Sequence, residues 1–456
     1  MIFVEDIDSL QALKVKWASE DCVIYPQWSD NRLHFSQNRL SFVVFYFNES
    51  SQYYVVNINH TDSLGMKIDG LDFLNQKQTA KLNRIVYWYK EFSQLYDIDN
   101  SIDADILYMC SFGKVAEEYQ LPKPYYKDIV NINDSVPINK QLEQIKPLMQ
   151  MYNDSFRWKT FVSVKEFSEY VKVFGEIEKN GIYVDEEISQ QREGKRNENG
   201  LVFSSYNFLT STLRPSNTFG GTNFSALNKN TGIRKHFVSR YGDDGRIFNM
   251  DFVSYHPRIL ANIFVELFQK HPTRFSSHYS TIDGDTNIYE WIQKQSSELS
   301  GLTYDEMKVL TFQQIYGGID NEMKVIPFFN DISLFTEKLM ENIDGRGIIE
   351  SRIFKLPLRV VEFGKPISET KAFNYYIQAL ETELNVQKIK KVVELLRGKK
   401  TKLILYTYDA LTFDIYREET YLLKEIESIL KEGAYPIKVT IGKNYQEQNE
   451  LNTRKS

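Results

Sequence analysis

The chain has 456 residues and a net charge of −6, and 14% of its residues are aromatic, with 29 Tyr and 30 Phe. That length exceeds what one hydrophobic core fills, so two or three domains are expected, and so rich an aromatic content excludes disorder over most of the chain. Two distant cysteines, Cys22 and Cys110, and six scattered histidines form no metal-ligand spacing, which excludes a zinc cluster or a disulfide framework and predicts reduced, buried thiols.

The N-terminus, MIFVEDIDSL, carries early acids rather than a basic leader, and no apolar run approaches the roughly 18 residues that cross a bilayer, so a soluble, cytoplasmic protein without a membrane partner is expected. Residues 40 to 58 read as two β-rich runs joined by the polar NESS turn, a hairpin. Helical periodicity is read from about 72 to 118, a linker at 120 to 126, and further helices to about 180. The Asn-Gly of EKNGIYVDEE then marks a turn before a short strand, and residues 186 to 200 are polar and loose. GLVFSSYNFL reads as a hairpin and is followed by a Gly/Asn-rich loop at 215 to 232.

A strand then ends at Asp251 in RIFNMDFVSYHPRILA, where a carboxylate stands at the end of an apolar run. From Pro257 to about Met340 the pattern is helical, and in KVLTFQQIYGG the residues Lys308, Phe312 and Tyr316 recur every four positions along one face that Gly317 and Gly318 terminate. An aromatic stripe alone reads as core packing, but a lysine in the same row needs an anionic partner. In KLILYTYDALTFDI two strands flank Thr407 to Ala410, so Asp409 is a second carboxylate at a strand end. Two basic runs stand out from the acidic average: Arg192 to Arg240 has eight basic against two acidic residues, and Lys388 to Lys402 has seven against Glu394. Each is either a solvated face or a phosphate track.

In this order the segments resemble the polymerase region of family A DNA polymerases, the bacterial DNA polymerase I type. SSYNFLTSTLRPS resembles the family stretch T-x-T-G-R-x-S, with Leu213 at the glycine. DFVSYHPRILA resembles motif A, KVLTFQQIYGG motif B, NYYIQ the N-x-x-x-Q segment, TYDALTFDI motif C, and IGKNYQEQ the closing strand and loop. The resemblance implies an α+β right-hand fold, with an antiparallel palm sheet, helical fingers and a thumb reduced or absent. Residues 191–456 would form palm and fingers and 127–190 a helical connector with the residual thumb. Residues 1–126 would be an α/β, RNase H-like domain of 3′–5′ exonuclease type.

It further implies that Asp251, Asp409 and the carbonyl of Phe252 hold two Mg²⁺ ions, and that Lys308 faces the triphosphate. Phe312, Tyr316, His256 and Arg258 would contact the nucleotide, and Arg214, Asn374 and Gln378 the duplex. The implied partners are primer-template DNA and dNTPs.

Four departures matter. Tyr304 stands where motif B has an arginine, His256 where motif A has the glutamate that excludes the ribose 2′ hydroxyl, and Tyr408 and Ala410 flank Asp409 in place of His and Glu. Only about fifteen residues intervene where the long helical thumb belongs, which suggests a compact enzyme of a phage or mobile element that borrows grip from a replisome or processivity protein. In the first domain, Tyr25-Pro26-Gln27 replaces the nuclease's Asp-x-Glu, and Asp103 and Asp105 do not restore it, so an exonuclease-like scaffold without nuclease activity is expected. Two alternatives stay open: a single-subunit RNA polymerase or primase-like enzyme, and an inactive DNA-binding scaffold. Two mutually repelling carboxylates beside Lys308 argue against the second.

Overall fold

The structure is a computed structural model and describes residues 1–30, 33–62, 64–77, 81–112, 133–151, 155–185, 197, 199–217, 227, 229–362 and 365–451. The chain forms two compact units. The first comprises Met1–Thr210, Pro215–Phe237 and Phe354–Leu356, the second Ser211–Arg214, Val238–Ile353 and Pro357–Ser456.

The first unit is built on a six-stranded sheet of β1 (Ile2–Phe3), β2 (Cys22–Trp28), β3 (Leu40–Phe47), β4 (Gln52–Asn57), β5 (Arg84–Val86) and β6 (Ser101–Asp103), in the order β1-β4-β3-β2-β5-β6. The meander β2-β3-β4 is antiparallel, and β5 and β6 run parallel to β2. This is the strand arrangement of an RNase H-like sheet. The hairpin at 40 to 58 forms as expected. The helical reading of 72 to 118 is corrected, because β5 and β6 lie within it and, among the described residues, its α-helices are α2 (Tyr89–Phe92) and α3 (Ala104–Phe112). Both strands are only three residues long and buried at every residue, too short and too uniformly buried to show a period that separates strand from helix.

Around this sheet lie α1 (Ile7–Ser19), α4 (Ile138–Met151), α5 (Phe161–Val171) and α6 (Val173–Asn180), with α5 packed on β6. Arg84, 1% exposed, closes the C-terminus of α1 by donating to the carbonyls of Trp17 and Glu20 while its guanidinium covers the Trp17 ring at 4.0 Å. Cys22 and Cys110 are buried free thiols, and burial pushes Cys22 up to about 12.

GLVFSSYNFL is not a hairpin. Its strand β8 (Leu201–Val202) pairs with β7 (Ile182–Tyr183), and β9 (Tyr206–Asn207) pairs with β10 (Ser216–Asn217). The reason is a set of contacts distant in sequence: buried Glu178 accepts from the Tyr206 N–H at 2.6 Å and from Lys90, whose ammonium also donates to the Tyr206 carbonyl at 2.5 Å, which fixes β9 away from β8. Burial raises the Glu178 carboxyl pKa, Lys90 opposing it. The expected linker at 120 to 126 lies outside the described residues, as do most of the loops at 186 to 200 and 215 to 232.

The second unit holds a five-stranded antiparallel sheet, β16-β17-β11-β18-β19, formed by β11 (Gly245–Phe252), β16 (Lys402–Thr407), β17 (Ala410–Tyr416), β18 (Ile437–Gly442) and β19 (Gln448–Glu450). Short ladders pair β12 (Ile348–Glu350) with β13 (Pro357–Arg359) and β14 (Val361–Glu362) with β15 (Lys365–Pro366). The helices are α7 (Tyr255–Lys270), α8 (Ile288–Gln293), α9 (Tyr304–Gly317), α10 (Pro327–Glu341), α11 (Glu369–Leu396) and α12 (Leu422–Lys431). Strand alternation divides the central pair: Phe248, Met250 and Phe252 with Leu411, Phe413 and Ile415 form one face, and Asn249, Asp251, Thr412 and Asp414 stand on the other.

Candidate active site

Both candidate carboxylates sit where β11 and β17 begin or end beside each other. Asp251 is the cross-strand partner of Ala410, and Asp409 precedes that alanine in the two-residue turn from β16 to β17. The Phe252 N–H donates to the Asp409 carbonyl at 2.9 Å, which fixes the two backbone segments together. Tyr408 adopts φ 62° to make the turn, and Ser254, at φ 52°, swings the chain from β11 into α7.

Asp409 is exposed at the tip, yet enough protein surrounds it that lost hydration raises its carboxyl pKa, the Glu381 carboxylate adding to the rise and Arg214 opposing it. Among the described residues no group of three His, Cys, Asp or Glu side chains could hold a metal. Two carboxylates and a backbone carbonyl are an all-oxygen set, however, and Mg²⁺ is commonly bound by one or two carboxylates completed by substrate phosphates and water, so the donors fit that ion.

Helix α9 begins with a capping box, in which Thr303 accepts from the Glu306 N–H and Glu306 from the Thr303 N–H at 2.7 Å, and it ends at Gly318, φ 99°. Its stripe is not core. Lys308 is exposed, Phe312 half-buried and Tyr316 37% exposed, with the two rings stacked at 5.7 Å and 5°. The concern over a buried ammonium therefore dissolves, since Lys308 stays hydrated. Tyr304 is 48% exposed one turn earlier.

His256 is buried in the first turn of α7 and bonded at both ring nitrogens, Nδ1 to the Tyr316 hydroxyl and Nε2 to Glu381 Oε2 at 2.7 Å. Glu381, 1% exposed, also accepts from Arg214 at 3.1 Å. Burial opposes its charge, but the His256 hydrogen bond and the charge and hydrogen bond of Arg214 hold its carboxyl below the usual range. Loss of hydration and the Glu381 charge raise the Tyr316 phenol. The Arg214 guanidinium lies 3.9 Å over the Tyr408 ring, next to Asp409. Leu213, at the family's glycine position, keeps φ 54° while its side chain is buried.

The Asn374 amide donates to the Tyr316 carbonyl at 3.1 Å, and Gln378 follows one turn later, half-buried. Arg258 is placed differently from the substrate-facing position expected for it: its buried guanidinium donates to the carbonyls of Asp283 at 2.8 Å and Thr286 at 2.5 Å. Several residues of the two basic runs are committed to contacts within the chain. Arg234 donates to the Leu227 carbonyl, Arg240 is paired with Asp414 at 2.9 Å, and buried Lys388 donates to the carbonyls of Leu430 and Glu432 behind α12.

Two residues escaped the sequence reading. Glu381 and Asn385 share a face of α11 with Asn374, Gln378 and Lys388. Asn385 accepts from the Tyr255 hydroxyl at 2.8 Å and donates to the Tyr406 hydroxyl and the Tyr408 carbonyl, both at 2.9 Å, which pins the turn bearing Asp409. The recurrence of polar residues at 374, 378, 381, 385 and 388 along one helical face was the available signal.

No family model and no curated protein sequence matches the chain. Among solved structures, the fold is similar to the POL domain of Pol1 from M. smegmatis, in a complex with DNA primer-template and dNTP, with a TM-score of 0.67 over 97% of this chain and 99% of that chain at 11% sequence identity. At that identity the likeness establishes the fold, a mixed α+β polymerase-domain architecture.

Proposed function

We propose that the chain is a template-dependent DNA polymerase that adds dNTPs to a primer 3′ end. The observation that carries this reading is the juxtaposition of Asp251 and Asp409 on adjacent strand ends in the unit where α9 presents Lys308, Phe312 and Tyr316 and is tied to α7 through His256. The similarity to a polymerase domain bound to primer-template and dNTP supports it.

Asp251, Asp409 and the Phe252 carbonyl would hold two Mg²⁺ ions, which supply charge neutralisation at the triphosphate and activation of the primer hydroxyl. Lys308, exposed and hydrated, binds phosphate; Phe312 and Tyr316 offer a ring face to the nucleotide; His256 occupies the volume beside the sugar. Arg214, Asn374 and Gln378 would touch the duplex. Arg258 stiffens the loop after α7 and reaches substrate only through it.

The first unit is a scaffold without nuclease activity, and a short thumb makes a processivity or replisome partner part of the working enzyme, in keeping with a phage or mobile element. No helix among the described residues is long and apolar enough to cross a membrane, consistent with action on cytoplasmic DNA.

Primer extension with Mg²⁺, comparing dNTPs with rNTPs, tests the reading. Template-directed extension with dNTPs is expected. Preference for rNTPs would replace it with the RNA-synthesising reading, and no extension with either would leave a DNA-binding scaffold.

A further inference from the structure

The buried carboxylate Glu381 belongs to no step described so far, yet it is the most connected side chain around His256. It lies on α11, His256 on α7 and Tyr316 on α9, so one hydrogen-bonded chain ties three helices together. An ionised carboxylate only accepts, so its bond to Nε2 requires the proton on that nitrogen. In the neutral imidazole Nδ1 is then left with its lone pair, to which the Tyr316 hydroxyl donates. The low carboxyl pKa of Glu381 and the high phenol pKa of Tyr316 agree with that assignment.

A steric gate excludes a hydroxyl only if the group filling the volume cannot move aside, because an apolar pocket alone discriminates against an added hydroxyl by only about a hundredfold. An imidazole held at one nitrogen can still swing about the other. Held at both, it cannot.

Resting on the polymerase reading above, we propose that Glu381 is a positioning residue for sugar selection, fixing the tautomer and orientation of His256 so that His256 and Tyr316 together exclude the ribose 2′ hydroxyl. Arg214, donating to the same carboxylate at 3.1 Å, keeps Glu381 charged inside the protein and links the gate to Tyr408 beside the catalytic turn.

The test is single-nucleotide extension, measuring kcat/KM for dCTP and CTP in wild type, Glu381→Gln, His256→Ala and the double variant, with thermal melts of each. Glu381→Gln should lower the dCTP preference about tenfold, within the range an unaided pocket leaves, and should change nothing in the His256→Ala background, since it acts through that ring. Glu381→Asp replaces it should Glu381→Gln fail to fold. An unchanged preference in an active, folded variant, or an equal fall in both backgrounds, overturns the proposal. A second measurement needs no DNA: ¹⁵N spectra should show His256 protonated at Nε2 in wild type, and protonation at Nδ1 would overturn it. Wild type that extends with neither nucleotide removes the polymerase reading and this inference with it, whatever the tautomer.

Discussion

The central strands of the two sheets use their polar positions in opposite ways. In the first unit β2 is buried along all seven residues, and at the place where a nuclease would carry its acids Tyr25 is fully buried and stacked on Tyr87 at 4.8 Å while Gln27 donates to the Pro26 carbonyl. In the second unit the polar positions of β11 stay partly exposed, and Asp251 and Asp409, which precedes its ladder partner Ala410, keep access to water. A carboxylate at a strand end survives only where solvent, a cation or a partner offsets its charge, so the first sheet is given over to packing while the second leaves two carboxylates within reach of water, as the proposed metal site requires.

That contrast can be broken most directly at the carboxylates. Asp251→Asn or Asp409→Asn should lower primer extension on the order of a thousandfold or more, since several kcal/mol of charge stabilisation is lost, while filter-binding affinity for primer-template stays close to wild type. Either variant turning over normally would refute the site. The reverse experiment puts an acid into the first sheet. Tyr25→Asp should cost about 3–5 kcal/mol in urea unfolding, by losing a buried ring and burying a charge, and wild type should leave a 3′ end intact with Mg²⁺ or Mn²⁺. Metal-dependent 3′–5′ degradation that survives Asp409→Asn would mean the first unit still holds a nuclease.

A smaller effect is expected at the gate. His256→Ala should raise kcat/KM for CTP relative to dCTP by about ten- to a hundredfold, and a parallel loss of both would make His256 a packing residue.

The smallest effect is on stability. Because the folded-state pKa of Asp409 is raised, its contribution is present at low pH and lost as pH rises through that pKa. Metal-free Asp409→Asn should therefore gain on wild type as pH goes from about 3 to about 6, and Mg²⁺ should narrow the difference by binding wild type alone. A pH-independent difference in urea midpoints would show that Asp409 is not held in a charge-disfavouring place.

Much of this protein was legible in its sequence. The apolar run ending at Asp251, the four-residue recurrence of Lys308, Phe312 and Tyr316, and the break at Thr407 to Ala410 between two apolar runs are local patterns, and β11, α9 and the β16–β17 hairpin formed where they predicted. Local periodicity fails where burial is uniform or contacts are distant. Residues 84–86 and 101–103 became strands because β2 was there to pair with, directly or through β5, and GLVFSSYNFL split because Glu178 and Lys90 captured one half of it.

The site divides the same way. Asp251, Asp409 and Lys308 could be named from the chain alone, because strand ends and helix faces are set by nearest neighbours. The commitment of Arg258 to loop carbonyls, the left-handed Leu213 and the Glu381–His256–Tyr316 chain join residues 25 to 125 positions apart or depend on backbone angles. A hydrogen bond across such a separation depends on where three helices pack, which no periodicity in the sequence encodes.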